Sequence, residues 1–306
     1  MLSETGLWLL FGLIVATVLT IDLGILHKKA HAVSLKEAAF WTLAWFTLAM
    51  GFAGVLALSS GKERALQFVA GYLLEESLSA DNMFVFLIIF RYFAIPSAYQ
   101  ARVLHWGILG AIIMRFIFIF AGVALINAFH WMIYVFGALL IYTGAKMLLS
   151  REESVHPDDN LALKLLKRVM PLSAEHHGQN FFIRQGGILH ATPLFATLLV
   201  VEFSDLIFAV DSIPAVIAIT TDTLVVYTSN VFAIMGLRAL FFLLANMVDM
   251  FRYLKVGISA ILLFVGAKML GGIFFHVPTS VSLCVIAGIL AASIAASLLI
   301  KPPAKA

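Results

Sequence analysis

Two short stretches place acids among apolar neighbours. "LLEESLSADNMF" carries Glu75, Glu76 and Asp81, and "VEFSDLIFAVDSIPA" carries Glu202, Asp205 and Asp211. Glu75 and Asp81 are six residues apart, as are Asp205 and Asp211, and a polar residue, Asn82 or Ser212, follows the second acid of each pair. Carboxylates, the Asn82 amide and the hydroxyls of Ser77, Ser79, Ser204 and Ser212 are hard oxygen donors. They suit manganese, calcium or magnesium better than copper or zinc. No histidine lies beside them. Pro214 adds to this chemistry, because a proline inside a helix leaves the carbonyl four residues back, that of Val210, without its donor and available as a further oxygen ligand.

The elements that must carry these acids are membrane spans. The 306 residues are 62% hydrophobic and 12% charged, with a mean hydropathy of +1.02, more apolar surface than a soluble domain hides. Stretches long enough to cross a bilayer lie near 7–26, 38–60, 67–90, 103–126, 131–149, 193–219, 224–247, 255–275 and 279–300. The expected fold is all-α, a polytopic integral membrane protein of about nine transmembrane helices in one domain over 1–306. The first span does not read as a cleaved leader, because Glu4 precedes it and the basic residues follow it. One cysteine, Cys284, rules out internal disulfides and thiolate metal clusters.

Orientation follows from the Lys and Arg residues. With the N-terminus outside and the C-terminus cytoplasmic, inner segments collect Lys28, Lys29, Lys36, Arg91, Arg102, Lys146, Arg151, Lys164, Lys167, Arg168, Arg184, Arg252, Lys255, Lys301 and Lys305. The outer loops hold Lys62 and Arg64 alone, so the basic balance is a positive-inside bias and implies no nucleic-acid partner. The partners implied are the lipid bilayer, a divalent cation and protons; no oligomeric state follows. Of the inner segments only 150–192 is long and polar. Within it "NLALKLLKRVM" predicts an amphipathic surface helix on the inner leaflet, and "NFFIRQGGILHA" predicts a short hairpin turning at Gly186-Gly187. His176 and His177 read as solvated loop residues, Asp22 as interfacial, and Asn230 and Asn246 as interhelical hydrogen-bonding residues.

The chain also repeats itself. "YTGAKML" at 142–148 recurs as "FVGAKML" at 264–270, "GAIIMRFIFIF" around Arg115 matches "FAIMGLRALFF" around Arg238, and the two acidic spans match upstream of these. Two three-helix repeats, about 67–149 and 193–275, are thus expected, the first entering from outside and the second from inside. Inverted repeats with an acidic span in each half are the architecture of a secondary transporter whose site lies near the midplane. Each acid at a helix centre costs roughly 2.5–3.5 kcal/mol, so six represent on the order of 10 kcal/mol or more unless paired or hydrated. The remaining three cations, Arg115, Arg238 and Lys268, fall within spans and leave a surplus of acids. Protons or a bound cation can balance that surplus, which is what a proton-coupled cation carrier requires. The expected site is therefore Glu75, Asp81, Asn82, Glu202, Asp205, Asp211 and Ser212, with Arg115 and Arg238 balancing charge. It would hold no resident cofactor. A metalloprotease motif, a nucleophile elbow and a phosphate loop are all absent from the sequence, so no enzyme is indicated.

"EESLSADNMFVF", "FFIRQGGILHATPL", "VEFSDLIFAVDSIPAV" and "SNVFAIMGLRALFFLL" resemble the signature stretches of the TerC/Alx family of bacterial integral membrane proteins, over nearly the whole chain. The resemblance implies a bacterial inner-membrane exporter of manganese, with calcium left open as cargo, and a historical link to tellurium resistance and to an alkaline-pH response. It places Glu75, Asp81, Asp205 and Asp211 in the family's acidic motifs. Glu76 departs from the pattern, since relatives similar to Alx often carry a basic residue there. An oxyanion or amino-acid exporter with Arg115 and Arg238 as clamps, and a metal-delivery scaffold that does not transport, remain the alternatives.

Overall fold

The computed structural model describes residues 3–21, 33–149, 160–173, 175, 177–245, 253–272 and 277–299. Asp22, Asn246, His176, Lys28, Lys29, Arg151, Arg252, Lys301 and Lys305 lie outside them. Ten helices and one hairpin follow in the order α1 (Glu4–Ile21), α2 (Leu35–Ser60), α3 (Lys62–Tyr92), α4 (Ser97–Ala128), α5 (Met132–Leu149), α6 (Leu161–Val169), β1 (Phe182–Gln185), β2 (Ile188–Ala191), α7 (Pro193–Ile217), α8 (Thr223–Ala245), α9 (Leu254–Gly271) and α10 (Thr279–Leu299). This is a polytopic all-α membrane protein. Seven of the described helices, α2, α4, α5 and α7 to α10, are long and apolar enough to cross a bilayer. Their outer faces present large apolar side chains such as Phe40, Leu58, Ile113, Tyr142 and Leu298, as lipid-facing helices must. Two expected spans fall outside that set. The described part of α1 is short, and α3 carries Glu75, Glu76 and Asp81 in its middle. α3 is 31 residues long, about 46 Å at the usual rise, and is enclosed by α2, α7, α8, α9 and α10. Protein, not lipid, therefore surrounds its charges.

α8 is the central helix, buried along most of its length. α3 packs along α8 much as α7 packs along α4, while α5 lies against α9. The recurring glycines explain the last contact. A side-chain carbon at Gly266 would stand 2.8 Å from the Gly137 carbonyl, and one at Gly144 would stand 3.0 Å from that of Ser259, so only glycine lets these backbones approach so closely. α3 and α4 follow each other in sequence yet scarcely touch along their described lengths.

The cytoplasm-assigned segment follows its sequence pattern closely. Asn160 caps α6, its Oδ1 accepting from the amides of Ala162 and Leu163. Ala162, Leu163 and Leu166 are buried, and the helix packs against α7 instead of meeting lipid alone. The hairpin turns at Gly186 and Gly187, with φ of 59° and 83°, the left-handed pair that a tight two-residue turn needs. Thr192 then caps α7 and Pro193 opens it, each at its favoured position.

Candidate functional site

α4 carries Arg115 into the interior, 1% exposed. Its Nη1 lies 2.6 Å from Glu75 Oε1, and donates to Ser212 Oγ at 2.8 Å and to Asn230 Oδ1 at 3.2 Å. Nη2 is 4.0 Å from Asp205 Oδ1. Asn230 Nδ2 donates in turn to Glu75 Oε2 at 2.9 Å, and the Ser79 hydroxyl reaches Glu75 Oε1 at 3.5 Å. One guanidinium thus joins α3, α4, α7 and α8. A buried ion pair is sustained only when hydrogen bonds satisfy its remaining atoms, and for Glu75 they do. One guanidinium between two carboxylates still leaves an excess of negative charge when both are ionised.

The network is incomplete at Arg115 Nε, which is buried without a hydrogen-bond partner among the described residues, and at Asp205. Asp205 is 6% exposed, and its Oδ2 is buried without a hydrogen-bond partner among the described residues, an exception that calls for a reason in a native interior. Beside it lies a cavity of about 10 Å³ lined by Phe86, Gly107, Ala111, Glu202, Asp205 and Leu237, among others. That volume is on the scale of a single water. The Glu202 carboxylate lies against the backbone of Gly110 on α4. Two acids one helical turn apart on α7 therefore border one small space.

The other expected residues are distributed more widely. Asp211, partly buried, accepts a hydrogen bond at 3.0 Å from Thr143 of α5. Asp81 is partly buried and Asn82 buried, further along α3. Arg238 is partly buried on α8. Glu76 accepts from Tyr72 at 2.7 Å and faces Trp45 and Gly236, a different side of α3 from the Arg115 network. Among the described residues no three of His, Cys, Asp and Glu form a ready-made metal cluster. α7 stays helical through Pro214 to Ile217. The two polar residues that complete the geometry, Asn230 and Thr143, were not in the expected ligand set. Asn230 does hold helices together, as read from its place in an apolar span, but the helices it joins are those of the site. Thr143 could have been noticed in YTGAKML, where the second copy has Val265.

Residues 60–305 match the model of the "Integral membrane protein TerC family". The chain is 51% identical over 297 residues to "Uncharacterized membrane protein STKORF319" of Myxococcus xanthus, covering 97% of this chain and 93% of the relative. It is 47% identical over 293 residues to the Salmonella typhi protein called "Putative membrane-bound redox modulator Alx", covering 93% of this chain and 91% of that one. A Rickettsia felis protein called "Uncharacterized membrane protein" is 40% identical over 294 residues, covering 96% of this chain and 98% of its own. No solved structure matches the chain.

Proposed function

The chain belongs to the TerC family of integral membrane proteins, and from that premise we propose that it is a secondary transporter of the bacterial inner membrane. In this reading it exports divalent cations, manganese foremost, in exchange for protons, with its N-terminus outside. The observation that carries the proposal is Asp205. It is a buried carboxylate with one oxygen unpartnered, beside Glu202 in a cavity of about 10 Å³ and only 4.0 Å from a guanidinium already committed to Glu75. Such a site offers negative charge and free oxygen acceptors to a cation, and oxygen donors favour a hard one.

Within this reading Arg115 holds Glu75 and keeps the four helices in register. Asp205 and Glu202 offer oxygens to the ion, and Asp81, Asn82, Asp211 and Ser212 extend the polar route along α3 and α7. Each carboxylate takes either a proton or a share of the metal, so loading one releases the other. An anion exporter fits less well, because Arg115 Nη1 already meets Glu75, Ser212 and Asn230 and Nη2 faces the Asp205 carboxylate, so an anion there would meet two acids. The name of the Salmonella typhi relative favours a second reading, redox modulation. A dithiol cycle within this chain would need two cysteines, and it has one, Cys284, so a redox effect would have to be exerted through the cargo.

Purified protein in liposomes enclosing a manganese-sensitive dye tests the proposal. Manganese entry driven by an imposed pH gradient is the expected result. A dye signal equal to that of empty liposomes would overturn it.

A further inference from the structure

Gly110 meets Glu202 of α7 and is not among the residues that line the cavity. A side-chain carbon built there would overlap both carboxylate oxygens of Glu202. The three atoms nearest to it are all the far end of a flexible side chain. An alanine is therefore accommodated by swinging the carboxylate away and not by parting the helices. Gly107, one turn earlier, differs, since a carbon there would touch Val201 Cγ1 at an ordinary 3.8 Å.

We propose that Gly110 is a specificity-determining residue of the carrier: its missing side chain seats the Glu202 carboxylate at the cavity that Asp205 also lines, and so fixes the size of the divalent cation that the two acids share. The inference rests on the divalent-cation reading above. The cavity holds about one water, so an ion enters it stripped of most of its hydration and must be met by protein oxygens at its own preferred distance. Calcium takes more ligands at longer distances than magnesium does, so the placement of one carboxylate decides which ion is best satisfied. Glu202 sits where it does because α4 gives way at Gly110.

The test is manganese binding to the purified full chain by calorimetry, with calcium as competitor and thermal unfolding as the check on folding. Gly110→Ala should unfold as the parent does yet bind manganese about 10- to 100-fold more weakly, the range typical of residues that orient a ligand, and should discriminate less between the two ions. Glu202→Ala should show the same loss, and Gly110→Ala combined with it should lose nothing further, as expected of residues that act through one contact. Glu202→Asp in the Gly110→Ala background should recover part of the affinity, because the shorter side chain clears the methyl group. Parent-like affinity and selectivity in Gly110→Ala, or losses that add in full, would overturn the inference while leaving the transporter reading intact. A parent protein that binds no manganese would bring down that reading first, and this one with it.

Discussion

At the scale of single residues, Arg115 is the group whose loss should be felt most. Removing one partner of a buried pair leaves the other charged and unsatisfied, at roughly 3–5 kcal/mol, so Arg115→Met should lower the thermal midpoint of the purified protein. Adding Glu75→Gln should restore part of it, which a double-mutant comparison of unfolding curves would show. Asp81→Asn and Asp211→Asn should behave in the opposite way. Asparagine keeps the shape and one acceptor of aspartate, so both variants should insert and fold yet fail to protect cells lacking their own exporter from manganese, with metal accumulation as the readout. Parent-like efflux in both would remove these acids from the pathway. Much of this residue-level picture was legible, since acids in apolar spans announce themselves by their cost. That Arg115 balances acids was expected, but which ones was not legible, because its partners on α3, α7 and α8 meet it only in the folded bundle.

Among the elements, the sequence located the helices to within a few residues at most of their ends, together with the 161–169 amphipathic helix and the Gly186-Gly187 hairpin. Hydropathy and turn chemistry are local signals. What they could not convey is which helix lies against which. α3 was read as one span among nine, yet its charges are tolerable because five other helices enclose it. The GAKML repeat was read as part of two inverted three-helix units, and its glycines also mark the tight contact of α5 with α9. Gly266→Val should therefore overpack that contact by roughly 1–3 kcal/mol and reduce the yield of folded protein. The same change at Gly54, whose surroundings are open, should leave the yield unaffected; equal yields from the two variants would contradict this account of the motif.

For the molecule as a whole, the proposed exchange has a definite sign. Protons and metal compete for the same carboxylates, so manganese should bind more tightly as pH rises and should release protons as it binds. Calorimetry in two buffers of different ionisation enthalpy would reveal the release as a buffer-dependent heat; identical heats would argue against coupling. Orientation is open to a separate measurement. In a Cys284→Ser background, a cysteine replacing Lys62 should react with an impermeant reagent from outside the cell, and one replacing Gln185 should not.

The scant contact between α3 and α4 has a mechanical consequence. Each of these helices packs most extensively on a helix from the later part of the chain, α3 on α8 and α4 on α7, and the two couples are joined by contacts of α4 with α8 and of α3 with α7. The Arg115 network lies across the seam between them, with Glu75 and Asn230 on one side and Ser212 and Asp205 on the other. Shear of one couple past the other must stretch or exchange these bonds, and in the proposed transport an ion settling beside Asp205 would alter the same electrostatic clasp. Loading the cargo and unlocking the slide would then be one event.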